Sequence, residues 1–108
     1  MTQRELSPEI AAELLARGDA QLVDVREPYE HEAGRIAGAR HVELGALNAQ
    51  AETIDREKPV VFYCRVGARS AMAAEAFAAS GWDAYNLSGG ILSWAASGLP
   101  IEGEIAEH

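Results

Sequence analysis

Short, largely apolar runs alternate along this chain with longer segments of helical pattern. Three of the runs, at residues 21–25, 59–63 and 83–87, have the length and composition of strands. Residues typical of helix ends lie between these runs. Ser7 and Pro8 begin the first helical segment as its N-cap and first-turn residues. Because parallel strands need helical crossovers, this alternation predicts an α/β domain with a mainly parallel central sheet flanked by helices.

The remaining segments predict further helices. We expect a loop with a short helical turn within residues 27–34 and a helix over residues 44–54, whose apolar side chains share one face. The Ala-rich segment 70–79 predicts another helix with Ser70 as its N-cap, and the last helix is expected over residues 91–97.

The length of 108 residues suits one domain that folds around one core without disulfides. We expect this domain to span residues 1–108, with the core at about 6–101 and a short, frayed acidic tail at 102–108. No stretch resembles a signal peptide or reaches the length of a membrane span. These features predict a soluble cytoplasmic protein, and its small size and acidic surface favour a monomer.

The charge distribution limits the possible partners. A net charge of −8 argues against nucleic acid and against anionic membrane surfaces. From Ser70 to the end of the sequence there are five acidic residues and no lysine or arginine. Arg65 and Arg69 therefore stand out as local positive charge, as a site for a small anion requires. The alternative is that they are solvated or pair with nearby carboxylates.

The single cysteine, Cys64, lies where the strand at 59–63 ends and a helix is about to begin. A loop in front of a helix N-terminus can aim several backbone N–H groups at one point, which favours an anion there. A sulfur at that point is favoured as the thiolate, the reactive form of cysteine. An inert, buried cysteine is the alternative, and the neighbouring arginines and glycine argue against it. The candidate site consists of Cys64, Arg65, Val66, Gly67, Ala68, Arg69 and Ser70.

Three stretches, taken in order, resemble one family. Residues 24–42 are similar to its entry motif, residues 64–70 to its active-site loop, and residues 87–94 with 98–100 to its closing helix. The chain thus resembles the rhodanese (thiosulfate sulfurtransferase) superfamily in its single-domain form. The three stretches span most of the chain, with the order and spacing of the family.

The resemblance implies a sulfurtransferase. Cys64 would attack the outer sulfur of a small anionic donor such as thiosulfate, become a persulfide, and pass that sulfur to cyanide, an external thiol or a sulfur-accepting protein. The backbone N–H groups of residues 65–70 would surround the persulfide, while Arg65 and Arg69 would attract the donor and stabilise the departing sulfite. No cofactor is implied beyond this covalent intermediate, and no cysteine/histidine spacing suggests a metal site.

Two more residues are candidates for substrate binding. Asp24 ends a strand and is placed to orient Arg26, Arg35 or the active-site loop by a charge-assisted hydrogen bond. The family sometimes uses an aspartate and an arginine here near the substrate, so Asp24 and Arg35 join the candidate site, with a structural ion pair as the alternative. Because the chain has no second cysteine, sulfur on Cys64 must leave to an external acceptor.

Two other functions compete with sulfur transfer. The same fold can serve as a sulfur-carrier or regulatory module that docks a partner. Related phosphatases and arsenate reductases separate their cysteine and arginine by five residues, whereas four residues separate Cys64 from Arg69 and Ser70 occupies the next position. The tighter loop suits one sulfur atom better than a tetrahedral oxyanion.

Overall fold

The computed structural model describes residues 4–107, and a five-stranded parallel sheet forms its centre. The strands of this sheet are β1 (Glu5–Leu6), β2 (Gln21–Asp24), β4 (Arg40–His41), β5 (Val60–Tyr63) and β6 (Ala84–Leu87), and a separate pair consists of β3 (Gly34–Arg35) and β7 (Glu102–Gly103). Across the central sheet the order is β1, β6, β5, β2, β4, and every neighbouring pair is parallel. The predicted α/β class is confirmed.

The helices are α1 (Pro8–Ala16), α2 (Pro28–Ala33), α3 (Leu47–Gln50), α4 (Ala68–Ala79) and α5 (Gly90–Ala96). Ser7 is the N-cap of α1, as predicted, and its hydroxyl accepts a hydrogen bond of 3.2 Å from the backbone N–H of Ile10. None of the helices within residues 4–107 is both long enough and apolar enough to cross a membrane.

Strand β5 divides the core into two halves because its successive side chains point to opposite faces of the sheet. Val60 and Phe62 pack with residues of α3 and α4 on one face, while Val61 and Tyr63 pack with residues of α1 and α5 on the other. All four residues are fully buried. The central strand is therefore buried on both faces, and Cys64 follows directly at its carboxyl end.

The segment predicted as one helix over residues 44–54 is divided into three. A 3₁₀ turn at Leu44–Ala46 precedes α3, and a second 3₁₀ turn at Ala51–Thr53 follows it. The spacing of the side chains that pack on the core is consistent with this division: buried Leu47 follows partly buried Leu44 by three residues, and buried Ile54 follows partly buried Ala51 by three. A three-residue spacing matches the 3₁₀ period better than the α-helical one.

Two further expectations are wrong. Helix α4 begins at Ala68 with Gly67 as its N-cap, so Ser70 lies inside the first turn and does not cap the helix. The segment 102–107 is not frayed: β7 pairs antiparallel with β3, and Ile105 packs against the core half that contains Val61. The predicted tail residue 108 lies outside the described residues.

Candidate active site

The sulfur of Cys64 lies inside the loop that joins β5 to α4. The residue is fully buried, and its Sγ accepts hydrogen bonds from the backbone N–H of Gly67 at 3.1 Å and from the hydroxyl of Ser70 at 3.3 Å. Gly67 has φ +104°, a conformation that L side chains rarely adopt. The loop therefore curls around the sulfur just where a glycine permits the turn.

The environment of Cys64 favours the thiolate. Burial raises the pKa of the thiol, but the Ser70 hydroxyl and the backbone N–H groups of Ser70, Gly67 and Arg69 lower it by a greater amount. The net result is a pKa below the ordinary value for cysteine. Of the predicted backbone donors, the N–H of Gly67 hydrogen-bonds to the sulfur, and Ser70 contributes its side-chain hydroxyl. The role of the loop in binding substrate stays a prediction.

The side chain of Arg69 is paired with a carboxylate of α2. Its Nη1 and Nη2 donate to the two oxygens of Glu30 at 2.8 and 3.0 Å. Hydrogen bonds from Arg69 lower the pKa of the Glu30 carboxyl, against the effect of burial. Of the two interpretations of Arg69, pairing with a carboxylate describes its side chain.

The remaining loop residues differ in exposure. Arg65 is half-buried, and its Nε donates to the carbonyl of Ala106 in the C-terminal segment at 3.1 Å. The side chain of Val66 is exposed, and Ala68 is the exposed first residue of α4. Arg65 thus joins the loop to the segment that follows β7.

Asp24 lies at the end of β2, next to Tyr63, in a buried polar cluster. Its carboxylate accepts from the Arg26 side chain at 2.9 and 2.7 Å and contacts His31 Nδ1 at 2.8 Å. The ring of His31 stacks on that of His41 with centroids 4.6 Å apart. Burial raises the pKa of Asp24, but the bonds from Arg26 and His31 lower it below its ordinary value.

Arg35 is half-buried and lies between α2 and β7. It donates to the carbonyls of His31 and Glu32 and forms an ion pair with Glu102, with an N–O distance of 3.3 Å. Among residues 4–107, neither Arg35 nor the Asp24 carboxylate hydrogen-bonds to the loop 64–70. A role in substrate binding stays a prediction for both.

Glu30 is the residue of this site that the sequence interpretation missed. Its carboxylate is buried, accepts from the backbone N–H of Glu27 at 2.9 Å and holds Arg69. A partial signal was available, because an acid three residues after a helix N-cap is typical of a capping box. Its link to Arg69 crosses 39 positions, and no local pattern indicates it.

The described part of the chain offers no resident metal site. Within residues 4–107, no group of three or more His, Cys, Asp or Glu side chains is arranged to hold a metal ion. The chemistry available to the loop is that of a stabilised thiolate with hydrogen-bond donors around it.

Comparisons with known proteins agree with this geometry. A family model described as "Rhodanese-like domain" matches residues 7–97. The thiosulfate sulfurtransferase GlpE of Coxiella burnetii is 34% identical over 97 residues, which cover 89% of this chain and 91% of that protein. The crystal structure of a rhodanese-related protein from Thermoplasma volcanium has a TM-score of 0.86 and 30% identity, and the match covers 94% of this chain and 99% of that one.

The uncharacterized protein YqhL of Bacillus subtilis is 45% identical over 76 residues, which cover 69% of this chain and 60% of YqhL. The chain therefore spans less than two thirds of that relative. The family model, in contrast, spans most of this chain and includes the loop around Cys64. With the parallel sheet and the buried sulfur at its carboxyl edge, this match shows that the chain belongs to the rhodanese-like domain family, as its sequence resemblance implied.

Proposed function

We propose that this protein is a sulfurtransferase that carries sulfane sulfur on Cys64 as a persulfide. One observation carries the proposal: the buried sulfur accepts from the Gly67 N–H and the Ser70 hydroxyl inside a loop that favours an anion. Relatives of similar length named as sulfurtransferases support the same reaction class.

In the loading step, the Cys64 thiolate attacks the outer sulfur of thiosulfate or a similar anionic donor. A bond forms between Sγ and that sulfur, the S–S bond of the donor breaks, and sulfite leaves with the electron pair. The negative charge moves to the terminal sulfur of the new persulfide. The N–H and O–H donors of the loop already point towards the Cys64 sulfur and can stabilise that charge without reorganisation. The half-buried cation of Arg65 favours the approach of the anion.

In the discharge step, an external nucleophile takes the terminal sulfur. Cyanide attacks it to form thiocyanate, or a thiolate attacks it to form a new persulfide, and the electron pair of the broken S–S bond returns to Cys64. The cycle uses no cofactor other than the covalent persulfide. Because the thiolate must stay reduced between turnovers, the reaction suits a reducing compartment such as the cytoplasm.

Phosphatase chemistry is less well supported. A phosphatase-type loop needs its arginine to bind the oxygens of a tetrahedral anion. In this protein both terminal nitrogens of Arg69 are engaged by Glu30. Together with the four-residue separation of Cys64 and Arg69, this pairing favours sulfur transfer.

Intact-mass analysis tests the proposal directly. After incubation with thiosulfate, we expect the protein to gain the mass of one sulfur atom, and cyanide should remove it with release of thiocyanate. Cys64→Ser is the control, since a serine hydroxyl does not ionise near neutrality and cannot carry sulfane sulfur. A docking module without turnover would gain no sulfur, and thiocyanate formation by a folded Cys64→Ser protein would end the proposed mechanism.

A further inference from the structure

Asn86 connects the edge of the central sheet to the active-site loop. It lies in β6 opposite Phe62 of β5 and is only 4% exposed. Its Nδ2 donates to the two carboxylate oxygens of Glu5 at 3.0 and 3.1 Å and to the carbonyl of Gly67 at 3.2 Å. One amide nitrogen therefore links strand β1 to the loop that encloses Cys64.

The surrounding acceptors determine the orientation of this amide. Three oxygen atoms, two from Glu5 and one from Gly67, face the same end of the Asn86 side chain. Reversing the amide would bring Oδ1 against these three acceptors, which repel it. Among the residues described, Oδ1 has no hydrogen-bond partner, so the side chain is held through its donor end alone.

Gly67 is held on both sides. Its carbonyl accepts from Asn86 and from the backbone N–H of Ala71 in the first turn of α4, the latter at 3.1 Å. Its own N–H donates to the sulfur of Cys64 at 3.1 Å. Since φ at Gly67 is +104° and glycine itself restricts rotation little, these contacts must keep the N–H directed at the sulfur.

We propose that Asn86, oriented by the carboxylate of Glu5, is a positioning residue that keeps the backbone N–H of Gly67 directed at the Cys64 sulfur. The importance of this role for sulfur transfer rests on the proposed function. Its effect on the thiol does not, because ionisation of Cys64 can be measured without any sulfur donor.

The pH profile of iodoacetamide alkylation tests the role of Asn86. Asn86→Leu keeps the number and branching of the side-chain heavy atoms, removes the donor and adds no charge. We expect its midpoint to move to higher pH and its alkylation rate at neutral pH to fall roughly fivefold, as the loss of one buried hydrogen bond implies. The matched control is Asn48→Leu, the same change at an exposed residue, which should leave the profile unchanged.

Glu5 provides a second pair of variants at an exposed position, where folding is less at risk. Glu5→Gln keeps an acceptor oxygen for Asn86 and should not raise the midpoint, whereas Glu5→Leu removes the acceptor and should raise it. Removing a negative charge by itself would lower the pKa of a thiol. A rise in Glu5→Leu therefore reports lost positioning and not lost charge.

The other charged groups of the loop, Arg65 and Arg69 with its partner Glu30, are the same in all four variants. A purely structural role for Asn86 would lower the stability or the reactive fraction without moving the midpoint. An unchanged midpoint in folded Asn86→Leu, or in Glu5→Leu if Asn86→Leu does not fold, overturns the proposal. If the wild-type protein transfers no sulfur while Asn86→Leu still shifts the midpoint, the proposed function alone is contradicted.

Discussion

The guanidinium of Arg69 and the carboxylate of Glu30 form a two-pronged ion pair, with N–O distances of 2.8 and 3.0 Å, that joins the active-site loop to helix α2. The two side chains differ in exposure: that of Arg69 is 35% exposed and that of Glu30 only 4%. The loop is thus attached to a carboxylate that water scarcely reaches.

This difference predicts unequal effects of the two substitutions on stability. Arg69→Met leaves the Glu30 carboxylate buried without its cation, and we expect a loss of about 2–3 kcal/mol in the free energy of unfolding. Glu30→Gln leaves Arg69 able to reach water and should lower the free energy of unfolding by about 1 kcal/mol. Urea denaturation of both variants measures the two losses. Equal losses, or a larger one for Glu30→Gln, would contradict the assignment of Glu30 as the anchored partner.

The same pair predicts a pH dependence of stability. The pKa of Glu30 is lowered in the folded protein from an ordinary value of 4.5. Its contribution is therefore fully present above pH 4.5 and is lost as pH falls through the lower, folded-state value. We expect the difference in unfolding free energy between wild type and Glu30→Gln to shrink below that pH. Asp24, whose pKa is also lowered, is present in both proteins and cancels in the comparison.

Ser70→Ala should make Cys64 less reactive at neutral pH. The substitution removes the hydroxyl that donates to the sulfur at 3.3 Å and so raises the pKa of the thiol. We expect a fall of roughly fivefold in the alkylation rate at neutral pH and recovery at high pH, where any thiol is ionised. Ser80→Ala, at the exposed far end of the same helix, is the control. A rate that stays low at high pH would indicate blocked access to the sulfur.

Arg65→Gln should slow loading of the persulfide more than its discharge. Thiosulfate is a dianion that must approach a protein of net charge −8, whereas the backbone donors that hold the persulfide are unchanged. Single-turnover rates of both steps, compared with those of Arg17→Gln at the exposed C-cap of α1, measure the difference. The deficit in loading should shrink at high ionic strength because salt screens exposed charges. Equal losses in the two steps would mean that Arg65 shapes the loop.

Gly90→Ala should disturb the loop from the opposite side. A Cβ at this position would lie 2.4 Å from the carbonyl oxygen of Arg65 and 2.5 Å from that of Cys64, and φ is +65°. We expect a loss of about 2 kcal/mol or more in unfolding free energy, together with slower alkylation of Cys64. Gly45→Ala, where a Cβ meets nothing within 4 Å, should change neither quantity. Wild-type reactivity in Gly90→Ala would show that α5 does not constrain the loop.

Local sequence patterns were sufficient to predict the main strands and helices. The strand before Cys64 is indicated by its β-branched and aromatic residues, and α1 by the cap at Ser7. Local reasoning was wrong at Ser70, because serine is typical both of helix caps and of other polar contacts. Whether the Ser70 hydroxyl caps the helix or donates to the sulfur depends on the residue at which the helix begins. The N-cap is Gly67, three residues before Ser70, so the hydroxyl is available to the sulfur.

The sequence by itself determined the α/β class and the position of Cys64 at the end of a buried strand, since periodicity and turn residues act over a few positions. Only the tertiary structure decided which groups surround the loop. Glu30 meets Arg69, Ala106 meets Arg65, and Asn86 meets Gly67 across 39, 41 and 19 positions. A charged or amide side chain can pair with many partners, and the packing of the sheet and helices selects one.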